Sequence, residues 1–197
     1  MTVSPWLFVA AAVIGYAFGS INPASLFARA RGIDLKDVGS GNPGATNASR
    51  AMGKKMGVLI ALLDVLKGFI PALAFSLIYD PAGELAGFAA VVGHITSPFL
   101  RGRGGKGVAT TLGAVMGAQP IWTPFLLAGF AVGYLATRRV GIGAVCGAVV
   151  LIIVSLFAPG VHTTIFGIAM GLLIIVRHYK NLGAAWRDWP DLRKAKS

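Results

Sequence analysis

Two long uncharged runs constrain this chain more than any other feature. Residues 107–137 carry no charge over 31 positions, and residues 140–176 none over 37. Only Arg138 and Arg139 separate them. A helix crosses a bilayer with about 20 apolar residues, within a range of roughly 17–25, so each run is too long for one crossing. Each also holds breakers near its middle, Gln119-Pro120 in the first and Pro159-Gly160 in the second. Proline removes a backbone donor there, and glycine weakens a helix. Each run therefore predicts a hairpin of two helices. Composition agrees: 55% of the 197 residues are hydrophobic and 13% charged, whereas a soluble domain carries about 25% charged residues. That leaves too little polar surface to coat a soluble globule, and too much apolar sequence for a disordered chain.

Three apolar stretches precede these runs, at residues 5–28, 56–79 and 85–100. The first is uncharged and lacks a basic leader, so it reads as a retained span and not a cleaved signal. The second holds Asp64 and Lys67, and the third is slightly short. The net charge of +11 would suggest nucleic acid in a soluble protein. Here it collects at the ends of apolar runs, where positive charge favours the cytoplasmic side, and nucleic acid is not an expected partner. If both long runs are hairpins, segments 29–55, 101–106, 138–139 and 177–197 share one side. They hold 17 of the 18 basic residues, Lys67 being the exception. The opposite turns, near 80–84, 118–120 and 159–160, hold none.

The prediction is an all-α integral membrane protein of the cell (inner) membrane. It has seven transmembrane helices, some short, with the N-terminus outside and the C-terminus cytoplasmic. A single domain covers residues 1–197, and five spans with re-entrant pieces are the alternative. Trp6 and Trp122 fall near the outer interface, Trp186 and Trp189 near the inner one, as an aromatic belt would place them. A single cysteine, Cys146, excludes a disulfide framework. No cluster of Asp, Glu and His suggests a metal, and no cofactor is expected.

Polar, glycine-rich sequence concentrates in the inner segments. The first cluster is Gly39-Ser-Gly-Asn-Pro-Gly-Ala-Thr-Asn47 followed by Arg50. Gly39, Gly41 and Gly44 permit positive φ and a nest of amides that binds anions. Ser40, Asn42, Thr46 and Asn47 add side-chain donors, and Arg50 can clamp a phosphate bidentately. A plain linker would not need this density of donors beside an arginine. The second cluster is Gly93-His94 with Arg101-Gly-Arg-Gly-Gly-Lys-Gly107. Gly104, Gly105 and Gly107 give Lys106 compact surroundings suited to an oxyanion. It is not a Walker A loop, because Leu100 and Gly107 occupy the positions of the first glycine and the Ser/Thr. The third cluster, Arg177-His-Tyr-Lys-Asn181, supplies His178 as base or phosphate donor and Asn181 as donor and acceptor. Together the three describe a phosphate-binding pocket at the cytoplasmic interface. Asp64 and Lys67, at i and i+3 within a span, read as a mutually satisfied structural pair.

These residues resemble the bacterial acyl-phosphate:glycerol-3-phosphate acyltransferase family, PlsY, over nearly the whole chain. The three clusters match its three motifs, and Gly19-Ser20 with Pro23 and Asp64 with Lys67-Gly68 fit its pattern. The departures are Ser97 for a usual proline, Gly102 for an aromatic, Gly141 for a serine, and Ala184-Ala185 where Arg-Leu tends to follow. The resemblance implies seven spans and a cytoplasmic active site. It also implies acyl transfer from a long-chain acyl phosphate to the 1-hydroxyl of glycerol 3-phosphate, giving lysophosphatidic acid and phosphate, the first step of phospholipid biosynthesis.

On this basis Ser40, Gly41, Asn42, Thr46 and Asn181 should cradle the acyl-phosphate head, with Gly44 and Asn47 in the same loop. Arg50 and Lys106 should hold glycerol 3-phosphate, with Gly104 and Gly105 alongside. His178 should orient phosphate or act as base, and His94 should bind or serve as a structural partner; a substrate phosphate oxygen is the other candidate base. Ser40, Lys106, His178 and Asn181 form the catalytic set. Docking of the soluble enzyme that makes acyl phosphate is a further partner the resemblance raises. The rival class is a small-anion transporter using Asp64 and Lys67, but no polar trail continues through the other spans.

Overall fold

The computed structural model describes residues 3–187. Trp189, assigned above to the inner interface, lies outside them. Among the described residues all regular structure is helical: α1 (Pro5–Ser20), α2 (Pro23–Arg29), α3 (Ala45–Met52), α4 (Lys54–Ser76), α5 (Asp80–Thr96), α6 (Val108–Ala118), α7 (Thr123–Thr137), α8 (Val140–Ser155), α9 (Val161–Arg177) and α10 (Tyr179–Arg187). The stretches Pro5–Arg29, Lys54–Ser76 and Pro120–Thr137 are long and apolar enough to cross a membrane. Val108–Ala118, Val140–Ser155 and Val161–Arg177 are shorter apolar helices.

Both expected breaks are present. Gln119 ends α6 and leads into a 3-10 turn at Pro120–Trp122, and residues 156–160 separate α8 from α9. Two boundaries differ from expectation. The stretch at 5–28 is interrupted at Ile21-Asn22, where the Asn22 side chain accepts from the Ser25 amide at 2.8 Å and caps α2. The outer turn placed near 80–84 is instead the first turn of α5, because Pro81 occupies an early helical position where its missing N–H costs nothing. The helix at the third expected span therefore runs Asp80–Thr96 and stops before Pro98.

The chain forms two compact units, Met1–Thr123 and Pro124–Ser197. In the first, α1 packs on α4 and α5, and α4 packs on α3, α5 and α6. Small residues allow backbone contact: a Cβ on Gly15 or Gly19 would fall on the carbonyls of Ala86 or Ala90, four residues apart on α5. Such small-residue seams drive association where lipid supplies no hydrophobic incentive. Helix α4 turns its two mid-helix charges inward and large apolar side chains outward. Asp64 and Lys67 are buried, while Val58, Leu62, Leu66 and Ile70 are exposed at a spacing of four. That arrangement suits a lipid solvent and would be costly in water. In the second unit α8 packs on α9, and α10 on both. Cys146 is half-buried with Sγ against Gly133, a packing role.

Candidate active site

The first glycine-rich loop joins α2 to α3. Gly39 and Gly41 have φ of 53° and 67°, the left-handed region that glycine adopts without strain. The amides were expected to form an open anion nest, but three are occupied. Ser40 N donates to Asn47 Oδ1 at 3.1 Å, Gly41 N to the Val38 carbonyl at 2.9 Å, and Gly44 N to the Asn42 carbonyl at 2.9 Å. Asn47 is buried and also donates through Nδ2 to the Leu35 carbonyl at 3.0 Å, so both ends of its amide latch the loop. The amides of Asn42, Ala45 and Thr46 have no such partner among the described residues. They lie at the start of α3, where Gly44 is the N-cap and orphan donors attract anions. Ser40 and Thr46 are exposed, and Arg50 lies over the loop, with Nη1 3.3 Å from where a Gly39 Cβ would sit.

Asn22 is a functional support that the sequence reading missed. Its Nδ2 donates to the Pro43 carbonyl at 3.0 Å while its Oδ1 caps α2, tying the loop to the first span. An Asn directly ahead of a helix-starting proline was the available signal.

The second loop turns back along the end of α5. Gly104 N donates to the Ile95 carbonyl at 2.9 Å and Gly105 N to the His94 carbonyl at 3.1 Å, satisfying carbonyls that a helix terminus leaves unpaired. These glycines therefore serve close packing, and their amides point at α5. A Cβ at Gly104 would overlap the His94 carbonyl, and one at Gly105 the His94 ring at Nε2. Lys106 follows, half-buried, and Gly107 at φ 85° opens α6.

Beneath this loop lies a buried polar network. Lys67 Nζ is 2.9 Å from Asp64 Oδ1 and donates to the Ile21 carbonyl at 2.7 Å; His94 Nδ1 is 3.5 Å from the same Asp64 oxygen. Asp64 and Lys67 thus form a structural pair, and His94 joins them as a support under Gly105. Ser97 donates to the Ser20 carbonyl at 2.6 Å, a tie that a proline there could not make. The two loops border one cleft, lined in part by Gly41 and Pro43 from the first and by Leu100 and Arg103 from the second.

In the second unit His178 is buried between α9 and α10. Its Nδ1 is 2.8 Å from the Ile174 carbonyl. A carbonyl only accepts, so Nδ1 carries the proton and Nε2 the lone pair of the neutral ring. The Asn181 amide donates to the His178 carbonyl at 2.9 Å, and its side chain faces Gly141: a Cβ there would stand 2.6 Å from Asn181 Nδ2. Among the described residues no three His, Cys, Asp or Glu side chains could hold a metal ion.

A family model described as "Glycerol-3-phosphate acyltransferase" matches residues 9–188. The chain belongs to the glycerol-3-phosphate acyltransferase family. Its similarity to the family member of Aquifex aeolicus (strain VF5) is 39% identity over 175 residues, covering 86% of this chain and 91% of that one. The Anaeromyxobacter sp. (strain Fw109-5) acyltransferase is 40% identical over 180 residues, covering 85% and 87%. Among solved structures, the chain is similar to PlsY (YgiH), an integral membrane glycerol 3-phosphate acyltransferase. Against its glycerol 3-phosphate form the TM-score is 0.86 at 36% identity, covering 91% of this chain and 92% of that one. Against its lysophosphatidic acid form the TM-score is 0.83 at 35% identity, with the same coverage. The chain is accordingly an acyltransferase of the PlsY family and a multi-pass membrane protein.

Proposed function

We propose that this acyltransferase uses acyl phosphate as donor and the 1-hydroxyl of glycerol 3-phosphate as acceptor. The hydroxyl oxygen attacks the acyl carbonyl, the bond from that carbonyl to the phosphate oxygen breaks, and 1-acyl-glycerol 3-phosphate and inorganic phosphate leave. The mixed anhydride is already activated, so orientation and charge neutralisation carry the catalysis. Orientation supplies up to about 7–11 kcal/mol and one well-placed oxyanion donor about 3 kcal/mol.

The observation that carries this reading is the pairing of cations with glycine-rich loops: Arg50 over Gly39, and Lys106 after the Gly104-Gly105 turn. Ser40, Asn42, Thr46 and the free amides of α3 serve the acyl-phosphate head. Arg50 and Lys106 serve the phosphate of glycerol 3-phosphate. Asn47, Gly41, Gly44, Gly104, Gly105 and His94 hold these groups in place. His178 Nε2 or a substrate phosphate oxygen takes the hydroxyl proton, and Asn181 positions a substrate beside His178. Residues 1–197 act as a single acyltransferase domain. Substrates reach it from the cytoplasmic side of the cell membrane in a chain of seven spans with the N-terminus outside, the arrangement that collects 17 of 18 basic residues on one face. The soluble enzyme that makes acyl phosphate docks on that face.

The donor is tested with purified protein, glycerol 3-phosphate and either palmitoyl phosphate or palmitoyl-CoA. Lysophosphatidic acid is expected from palmitoyl phosphate, and its formation from the CoA ester alone would sink the reading.

A further inference from the structure

The basic cleft in the first unit touches the first glycine-rich loop at Gly41 and Pro43, but the cations on its walls have no part in the acyl-transfer assignment. Its volume is about 430 Å³, within the roughly 300–1,000 Å³ of small-molecule sites. Arg29, Lys36 and Arg103 line it together with Ile33, Leu35 and Leu100. A second cleft of about 470 Å³ shares Arg29, Lys36 and Arg103 and adds Arg101 and Phe99. Asp34 is the one carboxylate on the lining, and its Oδ1 already accepts from the Lys36 amide at 2.9 Å. Four cations therefore face one locally occupied acid.

The position of these cations identifies the ligand. Arg29 is the last residue of the apolar stretch Pro5–Arg29. Arg101 and Arg103 directly follow the 3-10 turn that ends the α5 segment. One wall thus comes from the end of a membrane-length apolar stretch and the other from the turn after α5, and phospholipid phosphates lie beside the ends of membrane-spanning helices. The lining carries an exposed apolar group as well: Phe99 is 68% exposed beside Leu100. A free phosphate would gain nothing from that group, whereas an acyl-glycerol backbone would lie against it.

We infer that this cleft binds the headgroup of an anionic membrane phospholipid, with its phosphate between Arg29 and Arg103 and its glycerol region against Leu100 and Phe99. The inference rests on Arg29, Lys36, Arg101 and Arg103, none of which is assigned to acyl transfer.

Native mass spectrometry of the full chain in detergent tests it, with dioleoylphosphatidylglycerol, dioleoylphosphatidylcholine and inorganic phosphate as probes. Phosphatidylglycerol is expected to bind the wild type in preference to phosphatidylcholine, and inorganic phosphate is expected not to compete. Arg29→Gln/Arg103→Gln should weaken phosphatidylglycerol roughly thirtyfold, at about fivefold per cation near a headgroup layer. Lys54→Gln/Lys55→Gln removes equal charge from the start of α4 and should leave binding unchanged, and Arg29→Lys/Arg103→Lys should restore most of it. Should the first variant fail to fold, Lys36→Gln/Arg101→Gln carries the same expectation. Undiminished lipid binding in the cleft variants, an equal loss in Lys54→Gln/Lys55→Gln, or displacement of the lipid by inorganic phosphate would each overturn the assignment.

Discussion

Replacing Asp64 by Asn keeps the shape of the side chain and removes the charge opposite Lys67. Both side chains are nearly inaccessible, 3% and 7% exposed. Lys67 Nζ would keep its bond to the Ile21 carbonyl but would lose its counter-ion 2.9 Å away. Removing one partner of a buried pair costs about 3–5 kcal/mol. At roughly 2–4 °C per kcal/mol for a chain of this size, the unfolding midpoint in detergent should fall by about 6–20 °C. Adding Lys67→Met removes the stranded charge. What then remains is the orphaned Ile21 carbonyl at the end of α1, worth about 1–3 kcal/mol, so the double variant should be more stable than Asp64→Asn alone. Asn keeps the volume beside the His94 ring, which packs under Gly105, so acyl transfer should persist in the double variant. Thermal unfolding of the two variants and the wild type, followed by transfer assays on the same samples, decides the matter. A single variant as stable as wild type would refute the buried-pair argument. A stable double variant with no activity would instead give Asp64 and Lys67 a direct role, as an ion path requires.

The Gly105→Ala substitution drives a methyl group into the His94 ring and should displace Lys106; a shift of about 1 Å costs roughly 100-fold in rate, and an unchanged kcat would contradict the packing. Gly141→Ala should push Asn181 aside, because its Cβ would stand 2.6 Å from Asn181 Nδ2, and a comparable loss of acyl transfer with unaltered unfolding is expected. Asn47→Ala unties Ser40 from Leu35, two hydrogen bonds worth about 1 kcal/mol each; the KM for acyl phosphate should rise more than kcat falls, and an equal effect on both would point to direct contact with the reacting atoms. Arg50→Ala and Lys106→Ala should each lose most activity with glycerol 3-phosphate, and full activity in either removes that residue from the proposed site.

The helical architecture and its main breaks were readable because they rest on apolar run length and on Pro-Gly punctuation, both local properties. Pro120 and Gly160 announce their breaks in the sequence. Asn22 ahead of Pro23 marks its break too, but its tie to the Pro43 carbonyl, 21 residues away, has no local signal. The misplaced turn at 80–84 came from reading Asp80, Pro81 and Glu84 as polar punctuation, when proline also begins helices. At the level of residue type, the cations that the sequence sets beside glycines do lie at both loops. Which amides remain available was not legible. Glycine permits a nest, but only tertiary contacts decide whether an N–H meets a ligand, a carbonyl at the end of α5, or the Asn47 side chain. The partnership of His94 with Asp64 was likewise hidden, because helix periodicity relates neighbours on one helix and these residues come from two.

The eleven residues of α6 have a consequence for how two very different molecules meet. At 1.5 Å per residue the helix is about 16 Å long, about half the thickness of a hydrocarbon layer near 30 Å. A helix that short crosses only by thinning the bilayer around it or by leaving an end below the surface. One end opens directly after Lys106; the other is finished by Gln119, whose side chain donates to buried Glu84 at 2.9 Å. A polar group at one end is thus carried deeper than a full-length span would carry it. A water-soluble phosphate ester and a fatty acyl donor then need not trade solvents to react. The protein brings the shoreline inward, and neither reactant has to leave its own medium.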